Sequence, residues 1–112
     1  MIVDTQHTAL AMGSGDLAVL ATPAMVALME NAAMQISAAL CAAGQTTVGT
    51  KISVEHTRAT PLGAQVEARA ELIKQDGRRL YFTVSASDEK GVIGSGEHER
   101  FIVDGEKFMA KL

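Results

Sequence analysis

The sequence has little of what many recognition and redox chemistries require. Among its 112 residues there is one cysteine, Cys41, no tryptophan, two prolines and four aromatic side chains, Tyr81, Phe82, Phe101 and Phe108. A lone cysteine forms no intrachain disulfide and no cysteine-based zinc site. The three histidines, His7, His56 and His98, show no metal-ligand spacing, so no metal is expected. Positive charge is sparse too. The ten Lys and Arg are scattered and the formal net charge is −3, whereas a nucleic-acid interface shows a basic face and a base-stacking surface needs more aromatics. No nucleic-acid partner is expected. The first ten residues carry Asp4 and lack a basic stretch followed by an apolar core, so no export signal is expected and a cytoplasmic location follows. No Gly-x-Ser-x-Gly elbow occurs, and neither Gly-Ser-Gly, at 13–15 or 94–96, is followed by the Gly-Lys-Ser/Thr of a phosphate loop.

What is abundant is small and apolar. Apolar residues make up 47% of the chain, with 18 alanines and 6 methionines, and charged residues 21%. This is a globular composition, and the length predicts one domain over 1–112. Small side chains bury little area each, and a chain of this size removes only about 65% of its unfolded surface from water. Stability shared with a second copy is therefore expected, in a homo-oligomer, with a homodimer and a tetramer both left open.

The stretch from Thr22 to Gly44 predicts a helix. Thr22 suits the N-cap, Pro23 the first helical position, and Gly44 the stop. Only Glu30, Asn31, Gln35 and Ser37 are polar within it, so the helix is expected to be buried and wrapped. With no aromatic belts or flanking basic residues, a membrane span is not expected. Four strands follow. Thr46 to Thr60 alternates Val48, Ile52 and Val54 with Lys51, Ser53 and Glu55. Gln65 to Gln75 places Val66, Ala68, Ala70 and Leu72 on one face. Asp76-Gly77 then signals a hairpin into Arg79 to Asp88, whose Leu80, Phe82, Val84 and Ala86 point inward. Val92 to Val103 is the last strand, and Gly94 and Gly96 inside it predict a bulge, a bend or a close backbone approach. Short connections imply an antiparallel sheet, so the expected class is α+β, a curled antiparallel sheet around one long helix.

Three residues stand out chemically. Glu30 is a carboxylate in an apolar helix, costly to bury unless paired, which suits a base or nucleophile, a structural partner of an arginine, or a residue at the helix's one wet edge. His56 shares the parity of Ile52 and Val54 and so faces inward, as an acid or base or as a satisfied structural imidazole. Thr22 has work as a helix cap, at a place that also receives a developing oxyanion. His98, between Glu97 and Glu99, fits a solvated surface.

Thr22-Pro23-Ala24-Met25, Glu30, Val48-Gly49-Thr50 and the run from His56 to Gly63, at this spacing, resemble the hotdog-fold thioesterases. The resemblance is to the small family containing fluoroacetyl-CoA thioesterase. It covers roughly residues 21–107 and includes Gly-Arg-Arg-Leu-Tyr-Phe at 77–82 and Gly-Glu-His-Glu-Arg-Phe-Ile-Val at 96–103. It implies a hotdog fold and hydrolysis of a small acyl-CoA to free acid and CoA, with no cofactor beyond the CoA of the substrate. The implied catalytic set falls on Thr22, Glu30 and His56, and the implied substrate-binding positions on Gly49 and Arg100. The family's phenylalanine-bearing segment before the helix reads here as Met12 to Leu20, without an aromatic. Arg58, Arg78 and Arg79 are the candidates for the CoA phosphates. An acyl-CoA-binding or sensing protein on the same fold is the alternative, and a hydratase a third reading, though the acid–base pairing that one needs is missing. Thr22 and Glu30 are separated by about 12 Å of helical rise. They meet one carbonyl only if the chain bends near Thr22 or two subunits share the site.

Overall fold

The computed structural model describes residues 1–112, Met1 to Leu112. A 3₁₀ turn (Thr5–His7) and a four-residue helix α1 (Ala9–Met12) precede the main helix α2 (Thr22–Ala38). Then come β1 (Gln45–His56), β2 (Glu67–Asp76), β3 (Arg79–Asp88), β4 (Gly91–Asp104) and a short helix α3 (Gly105–Ala110). The strands form one antiparallel sheet in the order β1-β4-β3-β2, with α2 packed across it.

Helix α2 buries a single stripe. Met25, Met29, Ala33 and Ser37, each four residues on from the last, are fully buried and continue from Ala21. Ser37 satisfies its hydroxyl by donating to the Ala33 carbonyl at 2.8 Å. Against this stripe pack Leu80, Phe82, Val84 and Ala86 of β3 and Ile93 and Ile102 of β4, with Val3, Leu20 and Val66 closing the core. The helix is thus wrapped on one side only. Met34, Ile36 and Leu40 remain more than a third exposed.

Two expectations about α2 are corrected. The helix ends at Ala38, short of Gly44, because Leu40 and Cys41 bond back only three residues, to Ser37 and Ala38, and tighten out of the α register. Thr22 is not the cap. Ala21 holds that position without a side-chain bond, and Thr22 is the first helical residue with its hydroxyl turned elsewhere.

Strand β1 also departs from simple alternation. Gly49 faces Arg100 and Lys51 faces Glu99, so Thr50 is an extra residue, a bulge in the ladder. Its hydroxyl donates to the Glu99 carbonyl at 3.2 Å. The bulge exchanges the two faces of the strand. Thr47 and Gly49 face the helix before it, and Ile52, Val54 and His56 after it, so Val48 does not share their face as its parity predicts. The glycines of β4 serve close approach. A Cβ on Gly96 would collide with the Ser53 carbonyl and lie 2.6 Å from the Val54 Cα, so β4 sits hard against β1. At the β2–β3 hairpin Asp76 pairs with Arg79, leaving Gly77-Arg78 as the loop, with Gly77 at φ +61°. No helix is long and apolar enough to cross a membrane.

Candidate active site

The implied site residues gather in two clusters at different heights along α2. The first lies at its start. The Thr22 hydroxyl and His56 Nδ1 are hydrogen-bonded at 2.8 Å, joining the first turn of α2 to the last residue of β1. The strand end is held by the Thr57 N–H and hydroxyl, which donate to the Ile93 carbonyl at 2.7 and 3.1 Å. His56 Nε2 is buried and has no partner within the chain. When Thr22 donates to Nδ1, Nε2 carries the ring proton and is a free donor. A hollow of about 250 Å³ adjoins Thr22 and His56, and Ala9, Ser14 and Val19 of the preceding segment help to wall it. That segment is an excursion closed by the Thr8–Leu20 bridge, with small and aliphatic residues over the hollow.

The second cluster sits two turns further on. The Glu30 side chain is 42% exposed, at the wet edge of α2 beside β1, and Arg100 Nη1 lies 3.9 Å from its Oε2, a long ion pair. Both structural readings of Glu30 are met in one place, since it has an arginine partner and open solvent. Gly49 makes room for it. A Cβ there would stand 2.8 Å from Glu30 Oε2 and 3.4 Å from Arg100 Nη1. Arg100 is buried in β4 and held by Thr47, whose hydroxyl accepts from Nε at 2.9 Å and whose carbonyl accepts from Nη2 at 3.1 Å. Burial pushes the Arg100 guanidinium below its ordinary value, and the Glu30 charge opposes that shift.

His98 belongs to this cluster, which corrects its expected place on the solvated surface. It is 1% exposed, with Nδ1 2.7 Å from the Lys51 carbonyl and Nε2 3.2 Å from Arg100 Nη1. A carbonyl only accepts and a guanidinium only donates, so the ring is neutral with its proton on Nδ1. The signal was in the strand period: His98 shares a face with Arg100, while Glu97 and Glu99 point outward. Arg58 is fully occupied elsewhere, donating to Asp88 at 2.7 Å and to the Gly91 carbonyl at 2.9 Å. Arg79 pairs with Glu99 at 3.3 Å. No group of three or more His, Cys, Asp or Glu side chains is placed to hold a metal ion.

The same architecture occurs in a hot-dog-like protein from Thermanaerovibrio acidaminovorans, with a TM-score of 0.88 at 21% identity over 99% of this chain and 82% of that one. Fold and site together put the chain among the hotdog-fold thioesterases. The sequence profile of the fluoroacetyl-CoA-specific thioesterases matches residues 3–106. The fluoroacetyl-CoA thioesterase of Streptantibioticus cattleyicolor is 48% identical over 94 residues, 84% of this chain and 68% of that enzyme. A solved variant of the fluoroacetyl-CoA-specific thioesterase, in complex with fluoroacetate and CoA, superimposes with a TM-score of 0.90 at 39% identity, over 96% of this chain and 91% of that one. The chain belongs to the fluoroacetyl-CoA-specific thioesterase family.

Proposed function

We propose that the protein hydrolyses a small acyl-CoA thioester to the free acid and CoA, in a homodimer whose two copies share each site. The observation that carries this reading is the seat of Glu30, a carboxylate open to solvent on one side, paired with Arg100 on the other and cradled by the missing side chain of Gly49. In the base role, Glu30 takes a proton from water as the water oxygen bonds to the thioester carbonyl carbon. The tetrahedral intermediate then expels CoA thiolate, which takes up a proton. In the nucleophile role, the carboxylate oxygen displaces CoA thiolate to give a mixed anhydride, which water cleaves to free acid and Glu30. Arg100 keeps the carboxylate oriented in both. His56, oriented through Nδ1 by Thr22, offers Nε2 to the carbonyl oxygen.

The dimer follows from distance. Helix α2 runs unbroken through Thr22 and Glu30, so about 12 Å of rise separates them and no bend brings them to one carbonyl. A second copy docked along the free edge of β1 and the exposed Met34, Ile36 and Leu40 supports a site built from Glu30 of one protomer and the Thr22–His56 pair of the other. The small, non-aromatic wall over the Thr22–His56 hollow favours a short acyl group without selection for fluorine.

The test is turnover of short-chain acyl-CoAs, with CoA followed chromatographically, in the wild type and in Glu30→Gln. The variant is expected to lose about a hundredfold or more in kcat with its melting temperature and oligomeric state unchanged. Tight binding of acyl-CoA without turnover by the wild type would make the protein a binding module instead. Label found in the Glu30 side chain after a single turnover in ¹⁸O-water establishes the nucleophile role, since only attack of water on the glutamyl carbon of an anhydride puts it there.

A further inference from the structure

We propose that the hollow between β4 and α3 binds the adenosine 3′,5′-bisphosphate end of the CoA thioester. This rests on the thioesterase reading for its ligand and on the surface charges for its position. Ten Lys and Arg are spread over the chain, and four of them are committed to carboxylates: Lys51 and Arg79 to Glu99, Arg58 to Asp88 and Arg100 to Glu30. Three of the remaining six, Arg78, Lys107 and Lys111, meet around one hollow of about 250 Å³. Phe101 and Phe108, two of the four aromatic side chains, are part of its lining. The one acid there, Asp104, turns an oxygen to the Lys107 N–H at 3.4 Å as the cap of α3. Arg78 is positioned by its own bond from Nη1 to the Ile102 carbonyl at 3.3 Å. In a chain of net charge −3, a convergence of three unpaired cations beside an apolar wall fits phosphate groups carrying a planar base.

The position also suits the rest of the molecule to be bound. Ile102 lies two residues beyond Arg100 on β4, about 7 Å along the strand from the guanidinium that holds Glu30. A second hollow, of about 610 Å³, opens between α2 and the start of β1, with Met34, Ala38, Cys41 and Thr47 on its walls. Thr47 is the residue that holds Arg100, the ion-pair partner of Glu30, so this hollow adjoins the cluster that carries the carboxylate. Its far wall, Gln45, is the strand partner of Asp104, which lines the basic hollow. Along this end of the sheet the surface changes from carboxylate to mostly apolar groove to unpaired cations, the order in which CoA presents thioester, pantetheine arm and bisphosphate.

The experiment compares acetyl-CoA with acetyl-pantetheine, which lacks the nucleotide, in the wild type and in the exposed double variant Lys107→Ala/Lys111→Ala. The KM for acetyl-CoA is expected to rise about tenfold with kcat within about twofold, and the KM for acetyl-pantetheine to stay unchanged. Lys107→Arg/Lys111→Arg is expected to restore the wild-type KM. An unchanged KM for acetyl-CoA, or an equal rise for both thioesters, overturns the proposal. Adenosine 3′,5′-bisphosphate added alone gives a calorimetric binding signal that the alanine variant weakens. This arm holds even if the wild type turns over neither thioester, which would sink the thioesterase reading alone, and absence of binding to the wild type at millimolar nucleotide overturns the nucleotide site.

Discussion

At the scale of single residues, the site depends on an atom that is not there. Gly49 leaves the volume in which Glu30 Oε2 sits, with His98 and Arg100 as its other neighbours. Gly49→Ala puts a methyl group 2.8 Å from that oxygen, and the carboxylate is the end of a flexible, half-exposed side chain that swings away. The expected outcome is a loss of about tenfold or more in kcat with a melting temperature within a few degrees of wild type, since no buried packing is lost. Steady-state kinetics beside a thermal melt checks it, and a large fall in stability with kcat retained would argue against the cradle. Residue identity was also where sequence reasoning did best and where it slipped. Glu30 announced itself as a charge in an apolar helix, and the arginine it pairs with is Arg100, which the sequence had marked as a substrate-binding position. His98 was concealed by its acidic neighbours, although an alternating strand sends neighbours to the opposite face.

At the scale of elements, the loop that follows His56 is anchored by a carboxylate far away in the sequence. Asp88, at the end of β3, accepts from Arg58 at 2.7 Å, from the Thr60 hydroxyl at 2.9 Å and from the Lys90 N–H at 2.8 Å. Desolvation raises its pKa, but the bonds from Lys90, Thr60 and Arg58 outweigh it and hold the carboxyl below the usual aspartate value. A depressed folded-state value means that the stabilisation is complete above the unfolded value of about 3.9 and is lost as pH falls through the folded one. The urea midpoint of the wild type is therefore expected to fall below about pH 4. Asp88→Asn is expected to start lower at neutral pH and to fall less on acidification. Identical slopes for the two proteins would remove Asp88 from this role. Strands were more readable than their irregularities. Arg79 to Asp88 and its inward set match the structure, because one face of β3 is fully buried and the period is enforced throughout. The end of α2 was unreadable because Ala38, Ala39, Ala42 and Ala43 all favour helix, so no residue before Gly44 marks a stop and the end at Ala38 is set by tertiary contacts against local preference.

At the scale of the whole molecule, one layer of sheet and one helix leave apolar surface with nothing over it. Met34 and Ile36 of α2, Leu40 just beyond it and Ile52 of β1 are all at least 36% exposed, beside an edge strand of 12 residues. If a second copy covers them, the melting temperature rises with protein concentration, and light scattering gives twice the 11.8 kDa chain mass. Ile52→Asp is expected to yield monomers with a melting temperature lower by about 5 °C or more and little thioesterase activity. A fully active monomer would refute the shared site. The composition foresaw the shortage of buried area, but not which surface carries it, because that depends on where α2 stops and how β1 turns. The turn of β1 returns to Thr50. One inserted residue sets the phase of everything downstream in the strand, so Gly49 and His56, seven positions apart and of opposite parity, face the same side. Activity on this strand is therefore governed by counting as much as by chemistry. Substitutions at Thr50 leave the frame intact, and its loss leaves Gly49 and His56 six apart and still on one side of a regular strand, whereas one further residue inserted between them turns them to opposite sides while every functional side chain is still present.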